Sequence, residues 1–153
     1  MYIPVVYTLK MTRAEDIGEL VMAANALASI AARETKNETP AAQWRALSAL
    51  ESEGPMRVGE LARASRTTQP GMTRLVGQLV EDGLVTRSHD DADSRVTVVE
   101  ATPAGLTTLA AWRVQLRDVL APMFADLDDE DWALLGRVAR ILSSRTAPAG
   151  ARR

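Results

Sequence analysis

The fold is decided by residues 58–100, which read VGELARASRTTQPGMTRLVGQLVEDGLVTRSHDDADSRVTVVE. Two helical patterns open this stretch, and a tight turn at 65–67 separates them. The first helix is predicted from Val58 to Ala64, and the second over residues 68–82. Two short helices joined in this way are typical of a helix-turn-helix unit.

The second helix carries its own start and stop signals. Thr68 is a good N-cap residue, and Pro70 is tolerated in the first turn, where its missing N–H would lack a helical partner anyway. Gly83 readily adopts the left-handed conformation that ends helices. Between these signals runs an apolar stripe that is predicted to face the core, consisting of Met72, Leu75, Val76 and Leu79.

The apolar period changes from 3.6 to 2 directly after Gly83. LVTRS (84–88) and RVTVVE (95–100) are rich in β-branched residues, and the polar segment HDDADS (89–94) lies between them. This pattern predicts a hairpin with His89 in its loop. The chain is therefore expected to be mainly α-helical, with a small two- to three-stranded wing attached to the helix-turn-helix.

Helices are also predicted on the N-terminal side of this unit. A long helix follows Met11, because Thr12 and Glu15 have the spacing of a capping box. Thr39-Pro40 opens a second helix, in which a cap residue precedes a proline at the first helical position. Gly54-Pro55 ends that helix.

Two further helices are predicted after the hairpin. Thr102-Pro103 opens one that runs to about Ala125, and Asp128 caps the last one. Both helices carry apolar stripes at helical spacing, which include Leu106, Leu109, Trp112, Leu116, Val119, Leu120 and Met123 in the first and Trp132, Leu135, Val138, Ile141 and Leu142 in the second.

Composition limits the chemistry that the chain can perform. Its 153 residues are 46% hydrophobic and 25% charged, which is the balance of one globular domain. There is no cysteine and a single histidine, so disulfides, thiolate sites and paired-histidine metal sites are excluded. Because we find no nucleophile–base pair and no Gly-rich phosphate loop, we expect no enzyme activity, no metal and no cofactor.

Charge and hydropathy bear on partners and location. The net charge is −2, and 18 residues are Lys or Arg; Lys10 and Lys36 are the lysines, which leaves 16 arginines. Arginine suits bidentate contacts with phosphate and guanine, although genomic composition bias is the simpler explanation. The chain has no run of about 18 apolar residues and no leader-like start, so we expect a cytoplasmic protein without a membrane span.

Three segments resemble the multiple-antibiotic-resistance regulator (MarR) family, and they cover roughly residues 43–105 without gaps. They are QWRALSALESEGPMRVGELARAS, TTQPGMTRLVGQLVEDGLV and DADSRVTVVEATPAG. The most specific part is a combination: GLV after the second helix, Asp93-x-Arg95 in the wing, and then Thr102-Pro103-x-Gly105.

The resemblance implies a dimeric winged helix-turn-helix transcriptional regulator that binds a pseudo-palindromic operator in double-stranded DNA. The resemblance is compatible with a repressor or an activator, and the expectation here is a repressor that a small aromatic or phenolic effector releases. The chain then divides into an N-terminal arm (1–11), dimerisation helices (12–36 and 102–145), a DNA-binding lobe (37–101) and a flexible tail (146–153), which together form one structural domain.

The resemblance places the DNA-binding residues in the turn, the second helix and the wing. Arg74 would contact a base or a phosphate, and Arg95 would enter the minor groove with Asp93 orienting it. Alternatively, Asp93 and Arg95 form a pair that only stabilises the turn. The implied site consists of Thr67, Thr68, Gln69, Pro70, Gly71, Thr73, Arg74, Gln78, Asp93 and Arg95.

The wing departs from the family pattern. Ser94 stands where an arginine is usual, and His89 stands where a proline or a basic residue is frequent. Asp90 and Asp91 add negative charge beside them. This reduced positive charge keeps a second hypothesis open: a winged-helix module that contacts other proteins and does not read DNA bases.

Members of the family often bind their effector in a crevice between the dimerisation helices and the DNA-binding lobe. The residues that would line it here are Trp44, Arg45 and Trp112. The alternative is that both tryptophans are ordinary core residues. Thiol-based redox sensing is excluded because the chain has no cysteine.

Overall fold

The computed structural model describes residues 12–35, 41–89 and 95–146. Contacts divide the chain into two units, with the boundary between residues 37 and 38. Four predicted features lie outside the described residues: the arm at 1–11, the Thr39-Pro40 cap, the wing segment 90–94 with Asp93, and the tail beyond Thr146.

Helix α1, Arg13–Glu34, begins at the predicted capping box. The Thr12 N–H donates to Glu15 Oε2 (2.6 Å), and the Glu15 N–H donates to Thr12 Oγ1 (3.3 Å). Hydrogen bonds from the Thr12 backbone, and secondarily from its side chain, hold the pKa of the Glu15 carboxyl below its ordinary value of 4.5. The large apolar side chains Ile17, Leu20, Val21 and Met22 of α1 are exposed.

The helix-turn-helix has the predicted form. Helix α2, Ala41–Glu53, precedes it and ends at Gly54 as expected. Helix α3 spans Val58–Ala64, and helix α4 spans Gln69–Glu81. Gly83 follows α4 with φ = 71°, a left-handed conformation that glycine adopts without strain.

One hydrophobic core joins α2, α3 and α4 to the sheet and to the helix that follows it. Three of the four predicted stripe residues of α4 are buried in this core, and the fourth, Leu75, is half-buried against it. The largest members of the core are Trp44, Leu47, Leu50, Leu61, Met72, Val76, Leu79, Val85, Val99 and Leu109.

The wing belongs to a three-stranded antiparallel sheet with the strand order β1-β3-β2. Strand β1 is Met56–Arg57, β2 is Val85–His89 and β3 is Thr97–Ala101. The sequence does not reveal β1, because two residues are too few to show a period. Its pairing with β3 brings Arg57 opposite Val98.

The prediction that His89 lies in the hairpin loop is wrong. His89 is the last residue of β2 and lies opposite Thr97 in β3. Both hairpin strands also start and end slightly later than predicted. Strand ends depend on which residues find a partner across the ladder, and β-branched content alone does not report that pairing.

Helix α5, Pro103–Leu120, is shorter than predicted. Its expected end was near Ala125, but Ala121–Phe124 form a 3-10 turn. Pro122 explains the difference, because proline has no N–H to donate to the carbonyl four residues earlier.

Helix α6, Asp129–Thr146, begins at the predicted cap, where the Asp131 N–H donates to Asp128 Oδ1 (2.9 Å). It includes Thr146, the first residue of the predicted tail. None of its side chains is buried, and its exposed large apolar residues are Trp132, Leu134, Leu135, Ile141 and Leu142. No helix within the described ranges is long and apolar enough to cross a membrane.

The segment after α4 is joined tightly to the start of α5. The Thr102 hydroxyl donates to the Gly83 carbonyl (2.7 Å), and the Thr102 N–H donates to the Leu84 carbonyl (3.0 Å). Thr102 also caps α5 by accepting from the Gly105 N–H (3.0 Å). A Cβ at Gly105 would overlap the Leu84 carbonyl oxygen, so this position requires glycine. These contacts explain why GLV (83–85) and TPAG (102–105) occur together in the sequence.

Candidate nucleic-acid interface

A residue of α2 braces the turn before α4. Ser65 is fully buried at the end of α3, and its carbonyl accepts from the Arg45 Nε–H at 2.7 Å. Arg66 follows with φ = 52°, a conformation that costs a non-glycine residue about 1–2 kcal/mol. The Thr67 N–H then donates to the Ala62 carbonyl (3.0 Å). The path of the chain into α4 therefore depends on contacts to α2 and α3.

The first turn of α4 satisfies its own backbone with small residues. Thr68 Oγ1 accepts from the Gly71 N–H at 3.2 Å, and Pro70 occupies a position that needs no N–H partner. A Cβ at Gly71 would lie 3.0 Å from Thr68 Oγ1 and 3.2 Å from Thr67 Oγ1. That Gly71 lets DNA approach the backbone stays a prediction. Crowding by these two hydroxyls is a second reason for glycine at this position, and the sequence did not reveal it.

The exposed face of α4 lies opposite its buried stripe. Pro70, Arg74 and Gln78 are four residues apart and follow one another along this face, and all three are exposed. The Gln78 amide donates to Asp82 Oδ1 (3.1 Å), which holds it along the helix. Arg74 stands at the centre of this face.

Two other predicted residues of α4, Gln69 and Thr73, lie toward the wing. The Thr73 hydroxyl donates to the Gln69 carbonyl (2.9 Å). Arg95, the predicted wing arginine, is exposed just before β3. Its predicted partner, Asp93, lies outside the described residues, so the Asp93–Arg95 pair stays a prediction.

A cleft of about 270 Å³ lies between α4 and the wing. Three arginines from separate parts of the chain line it: Arg57, Arg87 and Arg95. Gln69 and Thr73 of α4 contribute polar atoms on the opposite side. None of the described residues that line the cleft is acidic. The cleft therefore offers a concentration of positive charge beside the predicted recognition helix.

Sequence reasoning missed Arg57 and Arg87. Arg87 had a usable signal, because it lies two residues after the apolar Val85 and alternation places both on one face of a strand. Arg57 had none, because it reaches the cleft through strand β1, which the sequence does not reveal. The two arginines are 30 residues apart in the chain.

The helix-turn-helix is more basic than the whole protein. Residues 57–80 contain four arginines and one acidic residue, Glu60, which gives a local formal charge of +3 in a chain whose net charge is −2. The arginines of this segment are Arg57, Arg63, Arg66 and Arg74.

Of the three residues predicted for an effector crevice, the two tryptophans meet, and Arg45 is bonded elsewhere. Trp44 of α2 stacks on Trp112 of α5, with ring centroids 4.7 Å apart and planes 8° apart. One residue further along α5, Arg113 makes two hydrogen bonds with the Glu51 carboxylate of α2 (3.0 and 2.6 Å). Arg45 is bonded instead to the turn before α4.

Comparison with known proteins identifies the class. Residues 39–96 match the model of the MarR family. An HTH-type transcriptional regulator of Mycobacterium bovis is 31% identical over 100 residues, which cover 65% of this chain and 70% of that protein. The HTH-type transcriptional repressor IacR of Pseudomonas putida is 26% identical over 100 residues, covering 65% of this chain and 60% of the repressor.

Solved structures share the fold. A MarR family protein from Bacillus stearothermophilus superposes with a TM-score of 0.64 at 21% identity, covering 88% of this chain and 98% of that one. BpsR of Bordetella bronchiseptica, whose DNA binding is regulated by 6-hydroxynicotinic acid, has a TM-score of 0.55 at 22% identity, covering 84% and 98%. The chain is thus a winged helix-turn-helix transcriptional regulator. It belongs to the MarR family, which confirms the resemblance drawn from its sequence.

Proposed function

We propose that this protein is a homodimeric repressor that binds a pseudo-palindromic operator through α4 and the wing, and that a small aromatic or phenolic effector releases it. In this proposal it acts in the cytoplasm and is not an enzyme. The observation that carries the proposal is the exposed face of α4, with Arg74 at its centre and an arginine-lined cleft beside it.

Helix α4 has the dimensions of a recognition helix. Its 13 residues span roughly 20 Å, and a helix about 10–12 Å across fits the major groove, which is about 12 Å wide. The guanidinium fork of Arg74 suits the paired acceptors of guanine, or two oxygens of one phosphate. Gln69 and Thr73 lie on the same helix toward the wing, where they would contact neighbouring bases or the sugar-phosphate backbone.

The proposed dimer is supported by apolar surface that the single chain leaves open. Five large apolar side chains of α6 are between 39% and 55% exposed, and α1 exposes four more. Apolar surface of this extent is typical of protein interfaces. A two-fold pair of lobes would present two copies of α4 to half-sites about one turn of DNA apart.

The proposed effector site rests on the stacked pair of Trp44 and Trp112. The pair joins α2 of the DNA-binding lobe to α5, a helix assigned here to dimerisation. An aromatic ligand that packs on Trp112 would act by binding the free and DNA-bound conformations unequally. Arg45 follows Trp44 in the chain and bonds to the Ser65 carbonyl, so a shift of α2 would reach the turn before α4.

The decisive experiment is fluorescence anisotropy on DNA from upstream of the protein's own coding region, beside a scrambled fragment, at several salt concentrations. We expect nanomolar binding to the native fragment and a specificity ratio of about a thousand or more. Arg74→Ala should cost about 1–3 kcal/mol of specific binding if Arg74 reads a base. The matched control is Arg117→Ala, an exposed arginine of α5 outside the lobe, which should bind like the parent.

Two outcomes would contradict the proposal. If the parent binds both fragments weakly and equally across several candidate operators, sequence-specific recognition fails. If Arg74→Ala has no effect on any DNA, α4 is not the reading element, and the protein-contact module becomes the better hypothesis.

A further inference from the structure

We infer that Arg57 and Arg87 hold a backbone phosphate of bound DNA in the cleft between α4 and the wing. The inference rests on the proposed function and deepens it, because neither residue is among the DNA-binding residues that the family resemblance implies. It adds a phosphate site between the element proposed for the major groove and the element proposed for the minor groove.

The sheet explains why Arg87 faces this cleft. Val85, two residues earlier in β2, is fully buried in the core shared with α4. Alternation in a strand puts Arg87 on the same face as Val85, one step closer to the tip of the wing. Thr97 of β3 lies on that face too and also lines the cleft, as does Val76 of α4. Arg87 thus stands where the core opens into solvent.

Arg57 reaches the cleft from the other edge of the sheet. It pairs with Val98 of the central strand, while Arg87 pairs with the next residue, Val99, from the opposite side. The Arg57 N–H donates to Glu60 Oε2 (3.1 Å), which fixes its backbone at the start of α3. This register puts Arg57 and Arg87 on opposite faces of the sheet, but Arg57 is the last residue of β1, and both arginines line the cleft, with Arg95 as a third positive group.

The position of the cleft selects a phosphate as its occupant. A helix in the major groove and a wing in the adjacent minor groove lie on either side of one sugar-phosphate strand. The cleft lies between these elements and has a volume of about 270 Å³. Arginines with Gln69 and Thr73 opposite supply the donors that phosphate oxygens accept.

The test compares Arg57→Gln, Arg87→Gln and the double variant with the parent on operator and scrambled DNA. Each single variant should weaken binding by the same factor on both fragments and lower the salt slope by about one. The loss caused by each variant should therefore shrink about 3.5-fold between 50 and 200 mM salt. The double variant should lower the slope by about two, and Arg117→Gln should leave it unchanged.

Other results separate the hypotheses. A parent-like slope in both single variants, with urea midpoints unchanged, would refute the phosphate site while leaving the proposed function intact. Loss on the operator alone would mean that these arginines read bases and would also refute it. If the parent shows no operator preference, the proposed function fails, but a slope change on both fragments would still support the phosphate site. If the cleft instead holds a free anion, inorganic phosphate should compete with DNA for the parent and not for the variants, while the salt slope of DNA binding stays unchanged. That result would also refute the inference.

Discussion

Helices α2 and α6 show how differently one chain uses two apolar stripes. Helix α2 has 13 residues and buries five of its side chains, whereas α6 has 18 residues and buries none. The stripe of α2 meets α3, α5 and β3 within the chain. The stripe of α6 leaves Trp132, Leu135 and Ile141 open to solvent. Similar sequence patterns therefore lead to a closed core in one region and to an open surface in the other.

The physical lesson concerns where each helix finds its stabilisation. Helices in proteins depend mostly on the packing of an apolar face and only weakly on intrinsic propensity. The lobe around α2 supplies that packing internally, so its substitutions should change the free energy of unfolding of one chain. In the proposed dimer the face of α6 packs on a second molecule, so its substitutions should change association.

The largest effect is expected at Gly105, where the packed core leaves no space for a side chain. Gly105→Ala should lower the free energy of unfolding by about 3 kcal/mol, because the new Cβ meets the Leu84 carbonyl, which is itself bonded to Thr102. The measurement is urea unfolding. The control is Gly77→Ala in α4, whose Cβ meets nothing within 4 Å and which should gain up to about 1 kcal/mol. Equal midpoints for Gly105→Ala and the parent would show that the joint between α4 and α5 is not tight.

A second prediction addresses the open region. Leu135→Glu places a charge on the apolar face of α6 and should weaken self-association at least about 30-fold, which corresponds to about 2 kcal/mol of lost apolar burial. Sedimentation equilibrium measures the change. Ala133→Glu introduces the same charge on the opposite side of α6 and should leave association unchanged. If Leu135→Glu has the same apparent mass as the parent at every concentration, α6 is not part of the interface.

A smaller effect is expected at the turn before α4. Arg45→Ala removes the charged donor from the carbonyl of buried Ser65 and should cost about 1.5 kcal/mol of unfolding free energy. Ser65→Ala should be nearly neutral, because the buried Ser65 hydroxyl has no hydrogen-bond partner among the described residues. Chemical denaturation compares the two variants. Equal losses would mean that packing at Ser65, and not the Arg45 bond, holds the turn.

The smallest effect concerns the capping box of α1. Thr12→Ala should raise the pKa of Glu15 part of the way toward 4.5, because it removes the side-chain hydrogen bond, the smaller cause, and keeps the bond from the backbone N–H. Stability from a lowered carboxyl pKa is present above 4.5 and is lost as the pH falls through the lowered value. This acid-dependent loss should therefore shrink in the variant. Carboxyl titration by NMR measures the shift, and Thr35→Ala, at the far end of α1, should leave the pKa of Glu15 unchanged.

The starts and stops of helices were predictable from sequence. The caps at Thr12, Thr68, Thr102 and Asp128 all form as expected. Each depends on a side chain and a backbone N–H three residues away, so local sequence contains the whole interaction. The end of α5 was missed although Pro122 signals it, because the apolar stripe continues beyond that residue.

The candidate site was predictable only in part. Gln69, Thr73 and Arg74 belong to one predicted helix, and the structure places them on one accessible side of α4. Arg57 and Arg87 were missed because their shared cleft depends on a two-residue strand and on the packing of the sheet against α4. The place of Arg45 in an effector crevice stays a prediction, whereas its hydrogen bond to the Ser65 carbonyl, 20 residues away in the chain, was not predicted.

Sequence alone determined the order of elements, the caps, the helix-turn-helix with its wing and the family, because these depend on periodicity and on contacts between near neighbours. Only the tertiary structure decided which arginines share a cleft, why Gly105 admits no side chain and which apolar stripe stays open. Those outcomes depend on pairs of residues far apart in the chain, whose approach is set by packing and strand register and not by local composition.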